Sequence, residues 1–163
     1  MQDENLKHRQ LGLPIGLNDS ATLDNFCCVP SLPHAQIVSR ICDAAEKFIY
    51  LWGNGDTGVS HLLQAACHQG QKAGLQTQYL PLRDLLDYPP EAVLENLDEF
   101  DLVCLDDLQH IADNTAWQRA IFDFFNRMRE QGKRLLVGAS CAPRALPLTL
   151  EDLKSRMGWG LVF

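Results

Sequence analysis

The stretch Lys47-Phe48-Ile49-Tyr50-Leu51-Trp52-Gly53-Asn54-Gly55-Asp56-Thr57-Gly58-Val59-Ser60-His61-Leu62-Leu63 decides the fold. Its opening is short, apolar and aromatic, the composition of a buried strand bounded by turn residues. Gly53, Gly55 and Gly58 then let the backbone turn tightly and point its N–H groups inward, and a helix beginning near Ser60 aims its positive end at the same spot. Together they make a pocket for a phosphate. The pattern Gly53-x-x-x-x-Gly58-x-Ser60 is the frame of a phosphate-binding loop with one position altered, because Val59 stands where a lysine is expected.

The same rhythm continues outward. Ala35 to Glu46 and Ser60 to Ala73 carry apolar residues at helical spacing, and Gly74 supplies the usual stop. Thr77 to Leu82 reads as a strand, and a helical region broken by Pro89 and Pro90 runs from Arg83 to Asp98. Phe100 to Asp107 is a second buried strand that closes on two carboxylates. Asp113 to Gln131 is a long helix with Trp117, Ile121, Phe122, Phe124, Phe125 and Met128. Arg134 to Ser140, a short helix from Leu150 to Arg156, and a last strand from Trp159 to Phe163 complete the chain. Helices alternating with near-continuous apolar strands predict an α/β fold with a parallel five-stranded sheet flanked by helices. The core is expected to span residues 31–163, after an N-terminal segment, residues 1–30, expected to be flexible.

Bulk properties narrow the function classes. One domain of 163 residues is long enough to bury a sizeable core. No apolar run reaches the ~20 residues of a membrane helix, and the N-terminus lacks the basic start and apolar core of a signal peptide, so a cytoplasmic location is expected. The six cysteines include no C-x-x-C pair and read as reduced core residues. Histidine spacing suggests no metal ligands. Net charge of −7 without a Lys or Arg stripe argues against tight, direct DNA binding and favours protein partners.

Strand C-termini of a parallel sheet share one edge, where ligands bind. The glycine turn and Asp106-Asp107 both lie at such ends and are expected to face each other. Gly53, Asn54, Gly55, Gly58, Val59, Ser60 and His61, with Asp106 and Asp107, are the candidate nucleotide-binding residues. Ser60 and, through water, Asp106 would share a magnesium ion with a bound phosphate, and Asp107 would polarise an attacking water. Val59 removes a charge-assisted contact of roughly 1.5–3 kcal/mol, and Asp56 places a carboxylate where phosphate oxygens arrive. What remains leaves room for weak binding of a nucleoside diphosphate, such as ADP with its magnesium ion, and efficient ATP hydrolysis by the chain itself is not expected. Gln10-Leu11-Gly12-Leu13-Pro14-Ile15 reads as a short extended segment whose apolar residues could insert into a partner's groove, although the residues alone favour a loose tail or a strap packed on its own domain.

Three segments carry a family resemblance: Leu51-Trp52-Gly53 through Ser60-His61-Leu62-Leu63-Gln64-Ala65-Ala66; Leu102-Val103-Cys104-Leu105-Asp106-Asp107-Leu108-Gln109; and Ala120-Ile121-Phe122-Asp123-Phe124-Phe125-Asn126-Arg127. They resemble the AAA+ module of the bacterial replication initiator DnaA and, more closely, the short regulatory members of that family. The resemblance implies a P-loop NTPase core over roughly residues 18–163. Leu153-Lys154-Ser155-Arg156-Met157-Gly158-Trp159-Gly160-Leu161 is similar to the family's arginine-finger segment, which makes Arg156 the catalytic candidate, acting in trans. Gln10, Leu11, Leu13, Pro14 and Ile15 resemble the peptide by which the short members dock on the DNA polymerase sliding clamp.

The implied partners are therefore DnaA and the clamp, with DNA contacted only indirectly and no membrane. The implied role is regulation of replication initiation by stimulating ATP hydrolysis on DnaA. Departures are Asp56 for a glycine, Val59 for a lysine or arginine, and Ser140 for a sensor aspartate. The family's helical lid would follow Phe163, where the sequence stops; a fragment and a natural lidless form both stay open. An independent nucleotide-binding ATPase or switch, and a degenerate AAA+ remnant, are the alternatives.

Overall fold

Alternation within each strand builds both faces of one sheet. The computed structural model describes residues 16–23, 37, 39–54 and 57–163. Its strands are β1 (Phe48–Trp52), β2 (Thr77–Pro81), β3 (Leu102–Asp106), β4 (Arg134–Ala139) and β5 (Leu161–Val162). Its helices are α1 (Val59–Lys72), α2 (Pro90–Leu94), α3 (Thr115–Glu130) and α4 (Glu151–Met157). The sheet order is β2-β3-β4-β1-β5, and every pairing is parallel. All residues of β3 and β4 are buried, as strands covered on both faces must be.

Ile49, Leu51, Leu102, Cys104 and Leu136 pack with Leu62, Leu63, Ala66 and Cys67 of α1 on one face. Tyr50, Val103, Leu105, Leu135 and Val137 pack with α2, α3 and α4 on the other. α3 presents Trp117, Ile121, Phe124, Phe125 and Met128, a stripe at helical spacing, and Asn114 caps it by accepting from the Trp117 N–H at 3.1 Å.

The expected strands and long helices are all present. The region between β2 and β3 is a 3-10 turn at Leu82–Asp84, the single-turn α2 and a second 3-10 turn at Leu97–Glu99, because Pro89 and Pro90 interrupt the ladder. The last strand is shorter than read from sequence, Leu161–Val162 in place of Trp159 to Phe163. Helix Ala35 to Glu46 is described at residues 37 and 39–42 and stops at Cys42. Cys67 and Cys104 are core residues with sulfurs 3.5 Å apart, but Cys42 is exposed and Cys141 half-buried, so burial does not hold for every cysteine.

The described part of the N-terminal segment, residues 16–23, straps α1. Asn18 N–H donates to Gln64 Oε1 at 2.9 Å, and ring nitrogens of His68 and His61 meet the carbonyls of Asn18 and Thr22 at 2.9 and 2.7 Å. Ala21 is buried, and Leu17 and Leu23 pack on the α1-side core. Gln10, Leu11, Leu13, Pro14 and Ile15 lie outside the described residues, as do Gly55 and Asp56.

Candidate phosphate-binding site

The sheet order itself creates a crevice. The chain leaves β1 toward β2 on one side and β4 toward β5 on the other, so the C-terminal ends of β1 and β4 flank the point where the connections diverge. A cavity of about 570 Å³ opens there. Gly53, Gly58, Val59, Ser60 and His61 line it from the glycine turn and α1; Asp106 and Asp107 line it from the end of β3. The two halves separated in sequence are thus brought together. Asn54 is exposed beside the cavity without lining it.

Gly58 adopts φ 86°, the left-handed conformation, and starts α1 with no side-chain cap and no acidic residue in the first turn. The first N–H groups of a 14-residue helix therefore face the cavity without a competing side-chain acceptor. Val59 turns a methyl group back onto β4. A Cβ built on Gly138 would lie 2.8 Å from Val59 Cγ1, 2.8 Å from Asp106 Oδ1 and 2.7 Å from Leu63 Cδ1, so only glycine fits at 138.

Asp106 is 2% exposed, and both its oxygens are engaged. Tyr79 O–H donates to Oδ2 at 2.7 Å and the Asp107 N–H to Oδ1 at 2.9 Å. Burial, then Asp106, pushes the Tyr79 phenol far above its ordinary range, with Ser60 pulling the other way, so Tyr79 stays a donor at every physiological pH. Asp107 sits at φ 59°, a left-handed residue between β3 and the 3-10 turn Leu108–Ile111. Gln109 joins the ends of the central strands: its Nε2 donates to Asp107 Oδ1 at 3.4 Å, and its Oε1 accepts from the Ser140 N–H at 3.1 Å.

Sequence reasoning did not single out Tyr79, Arg83, Gln109 or His110 for the site. Tyr79 lies in the middle of β2 and joins the site only through its side chain on Asp106; Arg83, Gln109 and His110 follow strand ends in 3-10 turns, which carry no periodic signal. Arg83 is the Lys/Arg side chain among the described lining residues; it is mostly exposed and 3.7 Å from Asp84. The fit to a magnesium nucleotide is partial. Main-chain donors and the Ser60 hydroxyl suit a phosphate, while the metal-directing carboxylate is already hydrogen-bonded and position 59 offers no cation. No group of three or more metal-ligating side chains occurs among the described residues.

Arg156 is not part of this cavity. Its guanidinium carbon stands 3.7 Å from the Trp159 ring centroid and 5.5 Å from that of Phe122. Trp159 meets Phe125 edge-on at 6.3 Å, and Phe125 meets Phe48 at 5.0 Å. Phe48 is the first residue of β1, so Arg156 lies toward the N-terminal edge of the sheet, opposite the cavity.

Residues 17–163 match the family model described as the Bacterial DnaA ATPase domain. The chain belongs to that family. This DnaA-type domain is 40% identical over 158 residues to an uncharacterized protein of Haemophilus influenzae, covering 96% of this chain and 68% of that one. Its fold superposes on AMPPCP-bound DnaA from Aquifex aeolicus with a TM-score of 0.79 at 24% identity, over 91% of this chain and 51% of that one. Domain III of the Thermotoga maritima replication initiation protein DnaA gives 0.77 at 25% identity, over 91% and 68%. The DnaA-type domain thus spans about half the length of the Aquifex DnaA chain. No described helix is long and apolar enough to cross a membrane.

Proposed function

We propose that this DnaA-type domain is an Hda-type regulator, a cytoplasmic relative of DnaA that stimulates ATP hydrolysis on DnaA rather than hydrolysing ATP itself. The observation that carries the reading is the separation of its two chemistries. The cavity has Val59 where a phosphate-neutralising cation belongs, and Arg156 stands on the opposite edge of the sheet, where it serves no phosphate bound in its own chain. A guanidinium so placed is suited to reach the γ-phosphate held by a neighbouring subunit and to stabilise charge that develops there. Residues Gln10, Leu11, Leu13, Pro14 and Ile15 supply the tether to the DNA-loaded sliding clamp. Ser60 and Asp106 would hold the magnesium ion of a weakly bound ADP in the cavity.

The test uses clamp loaded on DNA, ATP-bound DnaA and the full chain. Arg156→Ala is expected to keep clamp capture while lowering stimulated hydrolysis on the order of a hundredfold or more, as for loss of an arginine finger. Deleting residues 1–16 should abolish capture. Unchanged stimulation by Arg156→Ala removes Arg156 from the mechanism, and capture without residues 1–16 removes the peptide.

A second reading, an independent nucleotide switch, is favoured by the uncapped α1 N-terminus and by Ser60 and Asp106 at the cavity. Calorimetric titration with ATP and ADP separates the two, since micromolar ATP binding with turnover supports only the switch.

A further inference from the structure

A long cationic side chain normally finds a carboxylate or stays mobile in water. Arg156 does neither. No carboxylate lies within ion-pair distance of it among the described residues, and its Nε is buried without a hydrogen-bond partner. What holds it is the indole of Trp159, against which the guanidinium packs at 3.7 Å. Arg129, from the last turn of α3, places a second guanidinium 4.8 Å from the same ring and likewise has no acidic partner among the described residues.

Trp159 is half exposed, yet its position is fixed from two sides. Phe125 supports the ring edge, and Gly160 brings the following backbone against the Phe48 carbonyl so closely that no Cβ fits. An indole face attracts a cation without neutralising it: the contact fixes the guanidinium's place but leaves its charge and donors for another anion. Two such cations on one ring repel each other, so the pair gains from an anion that meets both.

We propose that Arg129, Trp159 and Arg156 form a two-guanidinium clamp for a phosphate chain presented by a partner, with Trp159 the positioning residue and Arg129 a second binding cation. The proposal rests on the trans reading of Arg156 and deepens it: the partner's ligand is a polyphosphate met by two arginines. Trp159 touches no phosphate. It holds the Arg156 guanidinium in place against the indole, so that less side-chain freedom is lost when the anion arrives.

The test reads the arginines directly, by side-chain ¹H–¹⁵N NMR of the full chain titrated with inorganic triphosphate. In the wild type, the Arg156 Nε–H signal should show a strong ring-current shift and slow exchange with water. Arg156 and Arg129 signals should then move together and saturate with triphosphate. Trp159→Leu should abolish the ring-current shift and weaken triphosphate binding at these signals three- to tenfold, while Trp159→Phe retains most of both. Arg129→Ala should weaken binding several-fold with the Arg156 ring-current shift unchanged. An Arg156 signal without ring-current shift, or triphosphate affinity unaltered by both Trp159→Leu and Arg129→Ala in a chain whose methyl spectrum is native, overturns the proposal.

The companion readout is stimulated hydrolysis on DnaA. If Arg156→Ala leaves that unchanged while the NMR pattern holds, the clamp stands and the proposed function falls. If Arg156→Ala abolishes stimulation while the NMR pattern is absent, the function stands and the clamp falls.

Discussion

Val59 shows how one side chain separates a fold from its usual chemistry. The backbone around it does what a phosphate loop does: Gly58 takes the left-handed turn and α1 points its uncapped end at the cavity. The side chain instead packs a methyl against the space above Gly138. Val59→Lys is expected to raise ADP affinity on the order of ten- to a hundredfold, the worth of one charge-assisted contact, as measured by calorimetry. No gain in affinity would mean that this loop does not receive the phosphates. Asp106 shows a complementary restraint: its two oxygens each accept one bond, from Tyr79 and from the Asp107 amide, which fixes the carboxylate's orientation at the cavity.

At the scale of elements, the loops after β3 and β4 are set by buried amide side chains. Gln118 is fully buried in α3. Its Nε2 donates to the carbonyls of Ile111 and Ala112 at 3.0 and 2.8 Å, which end the 3-10 turn after the Asp pair. Its Oε1 accepts from the N–H groups of Thr149 and Leu150 at 3.0 and 2.9 Å, where the chain turns into α4. One residue thus ties the cavity side of β3 to the start of the helix that carries Arg156. Replacing it leaves several buried donors and acceptors unpaired. Gln118→Leu is expected to cost about 3 kcal/mol, read as a lower urea midpoint with the slope m unchanged. A loss below ~1 kcal/mol would mean that water satisfies these groups.

At the scale of the molecule, the sheet's N-terminal edge is fastened by charge where the opposite edge is open. Asp101 Oδ2 accepts from the Gln76 N–H at 2.9 Å, and Oδ1 meets Lys133 Nζ at 3.3 Å, tying the approaches to β2, β3 and β4. The Arg134 side chain donates to the carbonyls of Ile41 at 2.7 Å and Glu46 at 3.0 Å, holding the segment that leads into β1. The Gln76 amide first, then Lys133, holds the Asp101 carboxyl below its ordinary pKa. A carboxyl lowered on folding contributes stability above its unfolded value, about pH 4, and loses it as pH falls through the folded value. Asp101→Asn should therefore melt below the wild type at pH 7, with the gap narrowing as the pH falls below the ordinary carboxylate range. A gap independent of pH would assign the effect to packing instead.

Much of this was legible in the chain. Strand and helix identity follow from apolar periodicity, which is local, so β1, β3, β4, α1 and α3 could be read from a few residues each. The meeting of the glycine turn with Asp106 and Asp107 was also legible, because parallel strands must end on one edge. Tyr79 on Asp106, Gln109 between Asp107 and Ser140, and Arg156 on Trp159 were not, because each depends on which way a side chain turns once distant segments pack. By itself the sequence settled a parallel sheet with a phosphate loop lacking its cation, since hydrophobic pattern and turn chemistry act over short range. Only the tertiary structure decided that the loop's cavity and Arg156 lie on opposite edges, since that follows from how α4 and β5 return across the sheet.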